Sequence, residues 1–351
     1  ESIMLPEEMI DLFKKGYTYY INDDVEGYDQ LVLNMKDIEF AVLVELTRLG
    51  HQIIHNDGEK AQKIINNLYH YLHSFDNEAL AVFLIYQGAT HILTNHYKEA
   101  IDTLDMLEKM DGANEEIWQM YHYLKMIAYG RLCLFGNSSK CANEARFYFM
   151  NHKNYRRQAL IDLFQTEFEF YENDKIAMPK NKQFVSLLKS HEQDLFYLLM
   201  AISRHEPLYY LEKISSESRY YGLSVLLKGL HSLSTPDSDL YNRAKKELER
   251  LYKESGPTAL PYYLFLSYVK NKDWELLNDY IYRVIYPFVY SNQMIYFLSI
   301  ICKEVGYHHA NQKRYKDAFT ELVERDDDIK GFQNRKKTTE LRTFLSLSDE
   351  N

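Results

Sequence analysis

Thirteen histidines are weighed first, because imidazole serves metal binding, proton transfer and nucleophile activation alike. His51 and His55 are spaced i, i+4, which on a helix lets two imidazoles reach one ion. Gln52, however, stands where the HExxH motif of zinc proteases has its glutamate. His70 and His73, and the adjacent His308 and His309, have no Cys or further carboxylate at a short spacing to complete a ligand set. All read as surface or helix-packing histidines, and no metal ligand is assigned. Cys133, Cys141 and Cys302 form no CxxC pair and no disulfide framework, which fits a reducing, cytoplasmic setting. No glycine-rich phosphate loop, nucleophile elbow or ordered Ser, His and Asp motif occurs. The chain is therefore not read as an enzyme; no catalytic residue is assigned and no cofactor is implied. Recognition chemistry remains. Arg156 and Arg157 open a helix near the middle of the chain, and a guanidinium can hold a carboxylate through two parallel hydrogen bonds. Thirty-one tyrosines offer large apolar bodies with one polar tip.

The elements that must position these side chains are helices. Gly and Pro together number 20 of 351 residues, well under the usual share of roughly an eighth, and apolar residues reach 46%. Strand and turn punctuation is scarce, core material is ample, and an all-α protein is expected. A formal net charge of -10 argues against a broad nucleic-acid footprint on this chain. No apolar run approaches the roughly 18 residues a bilayer span needs, so a soluble, cytoplasmic protein without membrane contact is expected. The sequence starts at Glu1 and not at methionine, which fits either a start inside a longer gene product, with room for a further N-terminal domain, or the removal of a tag.

In chain order, apolar stripes and polar breaks predict helices over Leu5 to Tyr20 and Val25 to Met35, then a pair broken at His55 to Gly58. A sharper pair follows, Asn77 to Leu93 and Tyr97 to Met110, broken at Thr94, Asn95 and His96. The next unit, Asn114 to Asn151, is expected to break at Gly136, Asn137, Ser138 and Ser139. Further helices are expected over Tyr155 to Tyr171, Phe184 to Leu199, Leu208 to Ile214, Tyr220 to Leu233, Leu240 to Tyr252 and Ala259 to Val269, the last followed by one starting at Trp274. Tyr97 and Ala100 lie nine and twelve residues after Gly88, and Tyr315 and Ala318 repeat those spacings after Gly306. Ala145 and Ala244 take the same small-residue slot. Both signature stretches resemble tetratricopeptide hairpins, although 45 residues separate Ala145 from Ala100 against a norm of about 34. The resemblance implies a right-handed superhelix of degenerate hairpins, with residues 1–36 as N-terminal capping or connecting helices, 37–326 as the array and 327–351 as a charged tail.

With its Gly88, Tyr97, Ala100 and Gly306, Tyr315, Ala318 hairpins, Tyr-rich irregular helices and leading LFKKGYTYYINDDVEGYDQL, the chain resembles the peptide-binding regions of bacterial cytoplasmic quorum-sensing regulators. In those proteins a helix-turn-helix domain precedes the array; no helix-turn-helix lies in these residues. The resemblance implies a sensor in which a short linear peptide enters the concave groove and shifts the array between two curvatures. DNA would be contacted only through a domain outside this chain, and a homodimer is compatible with the class. The first helices of tetratricopeptide hairpins line that groove, which nominates Tyr86, Tyr123, Lys125, Tyr129, Arg156, Arg157, Gln165, Tyr262 and Tyr263 as peptide-binding residues. The alternative is a protein–protein interaction scaffold or partner-inhibiting regulator with no DNA role.

Overall fold

A computed structural model describes residues 6–35, 41–110, 114–173, 183–203, 205–233, 238–255 and 262–285, together with 287, 303, 305–306, 309–310, 313–314 and 316–317. Every regular element among them is helical. In order they are α1 (Pro6–Asn22), α2 (Val25–Leu33), α3 (Val42–Ile54), α4 (Gly58–Leu68), α5 (Asn77–Leu93), α6 (Tyr97–Asp105), α7 (Glu115–Arg131), α8 (Phe135–Asn151) and α9 (Tyr155–Asn173). There follow α10 (Ser190–Ile202), α11 (Pro207–Glu212), α12 (Tyr221–Ser232), α13 (Ser238–Ser255), α14 (Tyr262–Asn271) and α15 (Trp274–Tyr280). No described helix is long and apolar enough to cross a membrane. The chain forms two compact units, one of residues 1–174 and 179–188 and one of 175–178 and 189–351. In sequence the division falls between Asp174 and Lys189.

One joint recurs throughout. Asp23, Asn56, Asn95, Cys133, Lys153 and Lys272 all have φ between 53° and 63°, the left-handed region. In each case the following N–H reaches back to the carbonyl five residues before it, as in His96 to His91 at 2.7 Å and Leu134 to Tyr129 at 2.8 Å. These bonds satisfy carbonyls that a helix end leaves orphaned. The residue after the left-handed one then caps the next helix where it is Asx. Asp24 accepts from the Gly27 N–H at 2.9 Å, Asp57 from Lys60 at 3.1 Å and Asn154 from Arg157 at 3.0 Å. Hence a three-residue break stops one helix and starts the next.

The joint explains one departure from expectation. The α7–α8 break falls at Leu132, Cys133 and Leu134, while Gly136 to Ser139 form the first turn of α8. Backbone bonding places this joint even though neither Gly nor Asx occupies it. Similarly, the helix expected from Phe184 is a single 3-10 turn, Gln183–Leu187, and α10 starts only at Ser190. There the Glu192 carboxylate accepts the Lys189 N–H at 2.7 Å and sets the start.

Small residues sit where helices cross. A Cβ at Gly88 would lie 2.9 Å from the Leu104 side chain, so α5 and α6 approach as closely as glycine permits. Ala100, Ala145 and Ala244 are buried. Gly306 is buried, whereas Tyr315 and Ala318, and the tail from residue 327, lie outside the described residues. In the first unit α1 packs along α3 and also meets α9. In the second, α12 packs on α13 and α14, and α10 on α11.

Candidate functional site

Four tyrosines form the centre of the first unit. Tyr17, Tyr20, Tyr28 and Tyr86 are buried, with Tyr20 and Tyr86 edge to face at 5.0 Å. Tyr28 donates to the Thr47 carbonyl at 2.8 Å and its oxygen lies 3.3 Å from that of Tyr86. A side chain at Gly50 would run into both phenol tips. Burial pushes all four phenols well above their ordinary range, so they remain neutral. Tyr86, expected to line a groove, is therefore part of the core.

The arginine pair is held inside the same unit. Arg157 is buried at the N-terminus of α9, where Nε donates to the Ile21 carbonyl at 2.9 Å and an Nη to the Tyr20 carbonyl. Its guanidinium lies over the rings of Tyr123, at 4.9 Å, and Tyr20, at 5.5 Å. Burial works against the charge, but the surrounding Tyr123, Asp23 and Tyr20 outweigh it and raise the pKa further. Asn154 donates to the same Ile21 carbonyl at 3.1 Å. Arg156 grips Asp23 Oδ2 through Nε at 2.9 Å and Nη2 at 2.7 Å, and donates to the Leu187 carbonyl at 2.9 Å. The last carbonyls of α1, the negative end of its dipole, are thus capped by the Arg157 fork from α9, while Arg156 holds the Asp23 carboxylate just beyond them. The two arginines expected to hold a peptide carboxylate are engaged with groups of the chain itself.

Tyr123 on α7 is buried beside Arg157, and Lys125, two residues on, is buried as well. The Lys125 ammonium bonds Asp105 and, at 2.7 Å, the Tyr121 hydroxyl, and lies 5.6 Å from the Tyr129 ring centroid. Burial opposes this charge, yet the bonds to Asp105 and Tyr121 prevail and hold its pKa above the ordinary lysine value. This lysine clamps α6 to α7.

Gln165 and Tyr129 are only partly covered. Gln165 opens into a cleft of about 440 Å³ between α8 and α9, lined also by Phe135, Ser138, Ser139, Arg146, Asp162, Thr166, Phe168, Glu169, Glu172 and Phe184. Its amide donates to Ser138 Oγ and accepts from Ser139 Oγ, both at 3.3 Å, long bonds that an incoming amide could replace. Arg146 pairs with Asp162 on the lining, to which Glu169 and Glu172 also belong. Three phenylalanines with a few hydrogen-bonding groups suit a short peptide stretch. In the second unit Tyr262 and Tyr263 are half-buried on α14, Tyr263 lying 5.6 Å from the Tyr252 ring and Tyr262 beside Gly222.

The histidine pair has a neighbour that local spacing did not show. Asp29, from α2, places Oδ1 2.7 Å from Nε2 of both His51 and His55. Their hydrogen bonds, with that of His55 the larger influence, hold the Asp29 carboxyl below its ordinary range.

These hairpins define an all-α fold of the tetratricopeptide-like superhelical type. The chain is similar to a Rap protein solved in complex with Competence and Sporulation Factor, at 11% sequence identity and a TM-score of 0.63, covering 94% of this chain and 99% of that one. It is also similar to the apo form of the quorum sensor NprR from B. thuringiensis, at 11% identity and a TM-score of 0.60, covering 90% and 97%. No protein-family model matches, and no curated protein matches by sequence.

Proposed function

We propose that this chain is the peptide-sensing region of a cytoplasmic transcriptional regulator, binding a short linear peptide and contacting DNA only through a domain outside these residues. The observation that carries the reading is the end-to-end likeness to the Rap complex and the NprR sensor, which extends over nine-tenths or more of each chain. Among the nominated residues, Gln165 in the α8–α9 cleft and Tyr129, Tyr262 and Tyr263 are part-exposed. The buried Tyr86, Tyr123, Lys125 and Arg157, and the Asp23-bound Arg156, support the wall and do not form its face.

Fluorescence polarisation of a labelled short-peptide library against this chain tests the reading. A cognate peptide should emerge, and Gln165→Ala should weaken it by about 1 kcal/mol, the size of one neutral hydrogen bond. Retention of a protein partner with no peptide bound at any concentration would favour the scaffold reading instead. Equal affinity in the Gln165 variant would move the site away from this cleft.

A further inference from the structure

We propose that Asp29, His51 and His55 form a binding site for a divalent transition cation of the zinc type. It does not depend on the peptide-sensing reading. Three potential ligand atoms, one carboxylate oxygen and two imidazole nitrogens, lie within 4.8 Å of one another. The two imidazoles are one turn apart on α3, and the carboxylate comes from α2. Both Nε2 atoms point at the same Oδ1 at 2.7 Å, so the three lone-pair directions converge on one small volume. Around a tetrahedral ion with bonds of about 2.0 Å, donors stand about 3.3 Å apart, so side-chain rotation has to open each nitrogen–oxygen distance from the present 2.7 Å.

The site is held from behind. Tyr28, immediately before Asp29, is buried between α2 and α3 and tied to the Thr47 carbonyl, which fixes the carboxylate against α3. The Tyr28 ring meets the His51 ring edge to face at 5.7 Å, and the two imidazoles meet at 4.7 Å. Gln52 lies 3.3 Å from His51 Nδ1. With its amide oxygen turned inward it would accept the Nδ1–H, fixing the tautomer that leaves Nε2 free for an ion. In binding, each neutral ring moves its proton from Nε2 to Nδ1 and gives its Nε2 lone pair to the cation; no electrons transfer. Side-chain exposures of 18% for His51, 40% for His55 and 42% for Asp29 leave one flank open to water, which would complete the coordination. Two imidazoles and one carboxylate suit zinc and its first-row neighbours, whereas magnesium and calcium prefer all-oxygen sets. The bound ion would brace α2 against α3.

Calorimetric titration of the chelator-stripped full chain with zinc chloride under reducing conditions, alongside cobalt(II) absorption, tests this. One ion per chain and a visible tetrahedral cobalt spectrum without a thiolate charge-transfer band are expected. Asp29→Asn and His55→Ala, both at part-exposed positions, should each weaken binding by about tenfold or more. The His70→Ala, His73→Ala double variant should bind as the parent does. Far-UV circular dichroism of each variant separates lost ligands from lost fold, and a folded His55→Ala with parental affinity would overturn the site. So would a thiolate band, or no binding to the parent chain.

Discussion

The two units bury polar groups in different ways. In the first, the buried polar bonds join helices far apart in sequence: Arg157 to Ile21, Asn154 to Ile21 and Tyr17 to Glu116 span 136, 133 and 99 residues. In the second, buried hydroxyls mostly bond within their own turn, as Ser224 does to Tyr221 and Ser232 to Gly229. Among the described residues its longer-range polar links, Ser215 N–H to Asp194 and the Tyr221 hydroxyl to Glu247, span 21 and 26 residues. The Tyr280 hydroxyl is buried with no hydrogen-bond partner among the described residues. The first unit is therefore closed by a non-local clasp, while the second is assembled by stacking neighbours. A hydrogen bond to a charged group contributes more than one between neutral groups, so the clasp should be the more sensitive point.

The largest expected effect follows directly. Arg157→Ala removes a buried guanidinium with its bonds to the Tyr20 and Ile21 carbonyls and its contacts with the Tyr20 and Tyr123 rings, and should destabilise the first unit by about 3 kcal/mol. Ser232→Ala in the second should cost about 1 kcal/mol or less. Urea unfolding followed by hydrogen exchange resolves the units, and equal losses would remove the distinction between clasp and stack. Helix crossings should sharpen the comparison from the other side, because small-residue packing is common to both units. Ala100→Leu and Ala244→Leu are each expected to overpack by about 2 kcal/mol; an unchanged unfolding midpoint for either would mean that its crossing has slack. The smallest effect concerns the joint at Cys133, where φ is 57°. Cys133→Gly relieves left-handed strain but loosens the unfolded chain, for a net gain of about 0.5 kcal/mol in thermal unfolding.

Much of this was legible in the sequence. The α5–α6 hairpin lies where Gly88, Tyr97 and Ala100 place it, because close approach demands small residues at fixed spacing. Asn56 and Asn95 mark joints that their residue types favour, whereas Cys133 and Lys153 carry no such mark and are set by backbone bonding. The site was harder to read for a related reason. A guanidinium declares what it can bind and not whose carbonyl it meets, and Ile21 is 136 residues from Arg157. Asp29 likewise lies 22 and 26 residues from His51 and His55, a distance that only the packing of α2 on α3 closes. Local pattern reveals the joints and small slots; partners across the fold emerge only when the helices are assembled.

The clasp on α1 also sets an order of events during synthesis. The groups that cap the end of α1 are carried by residues 154 to 157, so α1 leaves the ribosome long before its partners exist. At roughly 5 to 20 residues per second, the 136 residues between Ile21 and Arg157 take on the order of ten seconds to make. Until then the apolar and tyrosine-rich face of α1 has α3 to pack on and the Asp23 joint closes its end locally, but the Ile21 carbonyl lacks both of its donors from Asn154 and Arg157. The first unit can thus reach its final form only when α9 arrives, which makes the N-terminal helix one of the last pieces to lock.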